Sequence, residues 1–94
     1  MEFEWDDRKD AANFKKHGVR FDEAKEIFRG PVFTWVDDRQ DYGEVRKVSI
    51  GEIGGLVVLV VAHTARGRKT RMISARKANQ RERKAYNAHI QKKA

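Results

Sequence analysis

The run "LVVLVVA", Leu56 to Ala62, limits what this chain can fold into more than any other stretch. A strand with one wet face alternates apolar and polar residues. This run does not alternate, so its strand is covered on both faces and belongs at the centre of a sheet. A chain of 94 residues is expected to form a single domain over residues 1–94, burying only about 60–65% of its unfolded surface. Few elements are at hand to cover two faces. A final helix or a partner protein has to cover the second one.

The flanking residues supply the other elements. "EFEW" reads as a short opening strand. Asp6 is a suitable N-cap for a first helix, with Asp7 and Asp10 near its positive end and Lys15, Lys16 and His17 near its negative end. Gly18 suits the left-handed position that closes it. Asp22 is expected to cap a second helix, in which Ala24, Ile27 and Phe28 form an apolar stripe that Gly30-Pro31 ends. Val19 and Phe21 should pin the corner between the two helices.

From Val32 the period changes to two. "VFTWV" reads as a strand and "DDRQDYG" as a turn. "VRKVSIGEI" sets Arg46, Val48 and Ile50 on one face against Lys47 and Ser49 on the other. Gly54-Gly55 marks a hairpin before the apolar run, and "TRMISA" reads as the last strand. Asn79 with Glu82 three residues on has the form of a capping box, opening a helix in which Tyr86 and Ile90 share a face. The order β-α-α-β-β-β-β-α with short connections predicts an α+β fold, an antiparallel sheet with two N-terminal helices and one C-terminal helix.

Charge narrows the partners. Lys and Arg number 21 against 14 Asp and Glu, a formal +7, and of the acidic residues only Glu52 and Glu82 follow Glu44. The C-terminal half is the half that attracts polyanions. With no cysteine, neither disulfides nor thiolate metal sites arise. The N-terminus lacks the apolar core of a signal peptide, and no apolar run approaches the ~20 residues of a membrane span. A soluble, cytoplasmic protein is expected.

Several chemistries fit poorly. His17, His63 and His89 make no metal-binding pair on a helix, and the basic half nearly lacks carboxylates. No metal site and no cofactor are expected. "GEIGG" has no strand–loop–helix around it and reads as a hairpin turn, not a phosphate loop. Metal-free cleavage of RNA is different, because the substrate brings its own 2′-OH nucleophile. The protein then supplies donors around the phosphorane, a base and an acid. Arginine holds two phosphate oxygens in one plane and stays charged, and Arg46, Arg71 and Arg76 fall on neighbouring strands. His63, leaving the central strand, suits a proton-transfer role. Blander readings stand beside these: Arg46 as a buried ion pair with Glu44 or Glu52, His63 as a satisfied strand-end histidine.

Taken together, Trp5-Asp6, Asn13, Lys16-His17, Phe21, Glu23-Ala24, Phe28, Gly43-Glu44, Arg46, Ile73-Ser74-Ala75-Arg76, Glu82-Arg83 and Tyr86 resemble the BrnT family of type II toxin–antitoxin toxins, from Phe3 to Tyr86. The resemblance implies a RelE-like fold and a metal-independent endoribonuclease that inhibits translation. It implies a BrnA-type antitoxin with a ribbon-helix-helix DNA-binding part, so that operator DNA is met only through the antitoxin. Carried over residue by residue, it makes Arg46 and Arg76 the phosphate donors, with His63 and Tyr86 as proton-transfer candidates. Arg71, Lys69, Arg81, Arg83 and Lys84 would extend the RNA-binding surface, and any uncovered apolar face would receive the antitoxin. The rival is a non-catalytic RNA-binding module, which shares the charge and the fold.

Overall fold

The computed structural model describes residues 1–93. In chain order the elements are β1 (Glu2–Glu4), α1 (Asp7–His17), α2 (Phe21–Ala24) with a 3-10 continuation over Lys25–Arg29, β2 (Phe33–Asp37), β3 (Arg46–Ile53), β4 (Val57–Arg66), β5 (Lys69–Lys77) and α3 (Gln80–Lys93). One five-stranded sheet runs in the order β1-β5-β4-β3-β2. The meander from β2 to β5 is antiparallel, as the short connections predict. The opening strand departs from that pattern by joining β5 in parallel, Glu4 opposite Arg71. Its chain direction follows from α1 and α2, which carry the chain across one sheet face before the meander begins.

The central strand is covered on both sides. Leu59 and Val61 point into a core built with Phe21, Ala24, Ile27, Met72 and Ala75 beneath α1 and α2. Val60 points the other way, packing with Val48, Ile50 and Tyr86 beneath α3. The chain thus covers much of its second face itself, leaving a partner only the part that α3 does not reach. The apolar run begins earlier than the strand does: Leu56 lies in the turn at 89% exposure, because Gly54 and Gly55 take left-handed φ of 61° and 70° just before it.

Local signals explain most boundaries. Asp6 Oδ1 accepts the Arg8 and Lys9 N–H groups at 2.8 and 3.3 Å, and Gly18 closes α1 at φ 72°. The expected cap of the second helix is corrected. Its N-cap is Arg20, and Asp22 lies inside the helix, paired with Lys25. Asp10 does the capping from outside, its Oδ1 accepting the Phe21 N–H at 2.8 Å. Carboxylate supply from a neighbouring helix leaves no trace in local sequence.

Asn13 closes the sheet where β1 stops. Its side-chain amide accepts the Ala75 N–H at 3.0 Å and donates to the Ala75 carbonyl at 2.8 Å, and it also donates to the Val19 carbonyl at 2.9 Å. One buried side chain stands in for a missing strand partner and ties α1 to both its own exit and β5.

Candidate nucleic-acid interface

Register sorts the polar residues onto the two faces. Residues directly opposite one another in adjacent strands share a face. On the α3 side, three rows cross the sheet. Phe33, Ile50, Val60 and Arg76 form the first, beneath α3. Trp35, Val48, Ala62 and Ser74 form the second, and Asp37, Arg46, Thr64, Arg71 and Glu4 the third. The structure therefore brings Arg46, Arg71 and Arg76 onto one face, with Lys69 farther out beyond Arg71. Arg81, Arg83 and Lys84 are exposed on the first turns of α3.

Each of these sheet arginines already holds a carboxylate. Arg76 makes a two-pronged bond to Glu82, both distances 2.8 Å. Arg71 Nη1 donates to Glu4 at 2.7 Å. Arg46 Nε donates to Glu44 at 3.3 Å, and its guanidinium lies 4.0 Å from the centre of the Tyr42 ring. A fourth arginine went unnoticed in the sequence. Arg39 grips Asp37 through Nε and Nη2 at 2.8 and 2.9 Å, while Tyr42 Oη donates to the same carboxylate at 3.1 Å. Tyr42 so links the Arg39 and Arg46 ends of one cluster. The only available sequence signal was the density of charged and turn-forming residues in "DDRQDYG".

The electrostatics follow from these contacts. The Arg39 guanidinium holds the Asp37 carboxyl far below the usual carboxylate range, against the opposing effect of burial. Arg76 is raised by its bond to Glu82 and only partly offset by burial and by the Arg39 charge. Glu82 is lowered in turn, mainly by Arg76 and also by the Asn79 N–H. Asp37, Glu82, Arg39 and Arg76 are thereby all held in their ionised forms at neutral pH.

A groove of about 360 Å³ runs between α3 and the third row, with Arg39 at one end and Arg76 at the other. Val48, Val60, Ala62 and Ser74 line it, with Trp35 on the edge-strand side. Its openness has a simple origin: α3 stops covering the sheet at the Val60–Arg76 row, and Ala62 and Ser74 are too short to fill the space beyond.

His63 and Tyr86 do not join the arginines. His63 lies on the opposite face, its ring edge-on to Phe28 with centroids 5.1 Å apart and its Nε2 2.8 Å from Ser49 Oγ. Burial, aided by the Lys47 charge, pushes its pKa down to about 4, so the ring is neutral. Tyr86 is 2% exposed, and its hydroxyl donates to the Pro31 carbonyl at 3.1 Å. Burial, with the Glu52 charge, pushes that phenol up. The blander expectations hold in part: Arg46 pairs with Glu44, though half-buried and not buried, and His63 is satisfied by Ser49 but lies inside β4, not at its end.

Among the described residues, no group of three or more His, Asp or Glu side chains is placed to hold a metal ion, and no helix is long and apolar enough to cross a membrane.

Comparison with known proteins identifies the family and the fold. The family described as "Ribonuclease toxin, BrnT, of type II toxin-antitoxin system" matches residues 5–82. The crystal structure of the Brucella abortus ribonuclease toxin BrnT is similar at a TM-score of 0.64 and 30% identity, covering 85% of this chain and 99% of that one. No significant match was found among proteins of curated function.

Proposed function

Because the chain belongs to the BrnT family of ribonuclease toxins of type II toxin–antitoxin systems, we propose that it cuts RNA without a metal ion, using the arginines on the α3 side of its sheet. As a toxin of such a system it has an antitoxin as its partner. We take that partner to be of the BrnA type, bringing the complex to operator DNA through a ribbon-helix-helix part, and the cytoplasm to be where it acts on translation.

The observation that carries the reading is the row arrangement. Arg46 on β3 and Arg71 and Arg76 on β5 rise toward the same side across the intervening β4, and strand geometry with fixed ion pairs limits how far each can stray. Attack of the 2′-OH on the phosphorus breaks the bond to the 5′-oxygen and leaves a 2′,3′-cyclic phosphate and a 5′-hydroxyl. Negative charge grows on the non-bridging oxygens during this step, and donors already aimed there act most strongly in the transition state. A two-pronged guanidinium–carboxylate bond uses two of five N–H groups, so Arg76 retains donors for phosphate. Asp37, Glu82, Glu4 and Glu44 each hold an arginine, which favours phosphate binding by arginine over binding through a cation at those carboxylates. His63 and Tyr86 are left out of the proposal, since their polar atoms are engaged away from the groove.

Lys69, Arg71, Arg81, Arg83 and Lys84 serve attraction rather than chemistry, so RNA affinity should fall steeply as salt rises. Incubating purified protein with RNA in EDTA tests the whole reading. Cleavage yielding cyclic phosphate ends is expected. Activity lost in EDTA and restored by Mg²⁺ would count against the metal-free mechanism, and RNA bound but uncut would favour a non-catalytic module. Growth arrest on expression, relieved by the cognate antitoxin, is the expected cellular outcome.

A further inference from the structure

The groove has a shape that phosphate binding does not require. Its floor is one register row, Trp35, Val48, Ala62 and Ser74, across four strands, or about 14 Å at the usual strand spacing. Side-chain bulk falls along that row from Trp35 through Val48 to Ala62, which makes a sloping apolar shelf with the Ser74 hydroxyl at its low end. Trp35 is 39% exposed although it is the largest side chain on the sheet. Among the described residues, Ser74 Oγ has no hydrogen-bond partner, although it sits in the groove lining. No charged residue stands in that row; the charges of the lining flank it, Asp37, Asp38 and Arg39 past Trp35 and Arg76 with Glu82 in the next row along β5 from Ser74.

We propose that this groove is a nucleoside seat: one unpaired base of the RNA lies on the Val48–Ala62 floor beside Trp35, with its edge toward Ser74, and its flanking phosphates meet Arg39 and Arg76. The occupant is argued from three features. A slot of about 360 Å³ with an apolar floor and polar ends falls in the range of small-ligand sites. Unpaired bases have faces that apolar and aromatic side chains accept regardless of sequence. Arg39 and Arg76 each keep N–H groups beyond the two that hold Asp37 and Glu82, and these suit a ligand with a flat apolar middle and an anionic group on either side. The inference rests on the ribonuclease reading for its choice of RNA, but it concerns binding, not cleavage.

The test uses a cleavage-resistant 2′-O-methyl RNA hexamer and an abasic hexamer with the same phosphates, both in EDTA. In a Trp5→Phe background the fluorescence reports Trp35 alone. The base-bearing hexamer should quench it saturably and bind roughly tenfold or more tighter than the abasic one. Ala62→Leu, which fills the floor, should remove that advantage and leave abasic binding unchanged. Trp35→Ala, a change at an exposed position, should do the same by anisotropy of a labelled hexamer if Ala62→Leu does not fold. Equal binding of the two hexamers with Trp35 undisturbed overturns the seat, and so does quenching by polyglutamate but not by the hexamer, which would assign the groove to an acidic protein segment. An Ala62→Leu protein that cuts and binds RNA normally removes the seat and leaves the ribonuclease reading standing. A wild-type protein that binds as expected yet cuts nothing upholds the seat and removes that reading instead.

Discussion

Arg76 and Glu82 are joined by two parallel hydrogen bonds of 2.8 Å, and one of the same carboxylate oxygens accepts the Asn79 N–H at 2.9 Å. The exit of β5 and the start of α3 are thereby tied through one carboxylate. The tie has a structural role and fixes the plane of the guanidinium that borders the groove, as the phosphate-binding role proposed for Arg76 requires.

The two roles separate by mutation. With Arg76 41% exposed, losing the pair should cost stability only about 1 kcal/mol. Losing a preorganised phosphate donor should lower the rate ~10²–10³-fold. Arg76→Ala is therefore expected to melt close to the wild type and to cut RNA far more slowly in single turnover. Arg76→Lys should also be slow, because a point charge cannot hold two oxygens in a plane. Glu82→Gln keeps an oxygen for the Asn79 N–H and should retain most activity. A folded Arg76→Ala protein with wild-type cleavage would leave Arg76 with its structural role alone.

Stability should fall with acid in two stages. His63 is held at about 4 when folded against an ordinary 6.5. The unfolded chain therefore binds the extra proton first, and stability is lost as pH falls from 6.5 toward 4. Asp37 and Glu82 are held below their ordinary values of 3.8 and 4.5. Their contribution is present above those values and disappears as pH drops through them to the lower folded ones. Urea midpoints across pH 3–8 should show both stages. His63→Gln, which keeps a partner for Ser49, should abolish the upper stage and spare the lower.

Replacing Asn13 should be among the costliest single changes. Asn13→Ala leaves the Ala75 N–H and two carbonyls without their partner at a buried position, and orphaned buried groups cost about 1–3 kcal/mol each. A loss of at least 2–3 kcal/mol is expected in urea unfolding, as an order of magnitude. Asn13→Asp should be no better, since a carboxylate would face two carbonyl oxygens.

Gly51 is held by packing, not by backbone angle. A Cβ there would lie 2.8 Å from Ile27 Cβ and 3.0 Å from Val32 Cγ1, pushing the 3-10 segment off β3. Gly51→Ala should cost about 1–3 kcal/mol through overpacking, read as a lower melting temperature with the cleavage rate per folded molecule unchanged.

Much of the architecture could be read from local pattern. Period-two alternation in "VRKVSIGEI" placed Arg46, Val48 and Ile50 on one face and Ser49 on the other, as found. The capping box at Asn79 and Glu82 closes as its spacing implies. The sidedness of the candidate site was harder. His63 stands between Ala62 and Thr64, which both face the α3 side, so simple alternation already turns it away from Arg46. A β-bulge at Ala62/His63 then sets Met72, not Ile73, opposite it, and no spacing in the sequence announces that shift.

Composition, strand periodicity and turn residues are properties of neighbours along the chain, so the sequence by itself determined the element order, the doubly covered β4 and the gathering of basic charge in the C-terminal half. Partnerships between distant residues are set by closure of long loops and by packing. Only the tertiary structure decided that β1 joins β5 in parallel, that Asp10 caps the second helix, that Asn13 completes the edge of β5, and that Arg39 faces Arg76 across the groove. Each of these joins groups whose meeting depends on which faces α1, α2 and α3 have already covered, and that competition for buried surface is resolved over the whole fold.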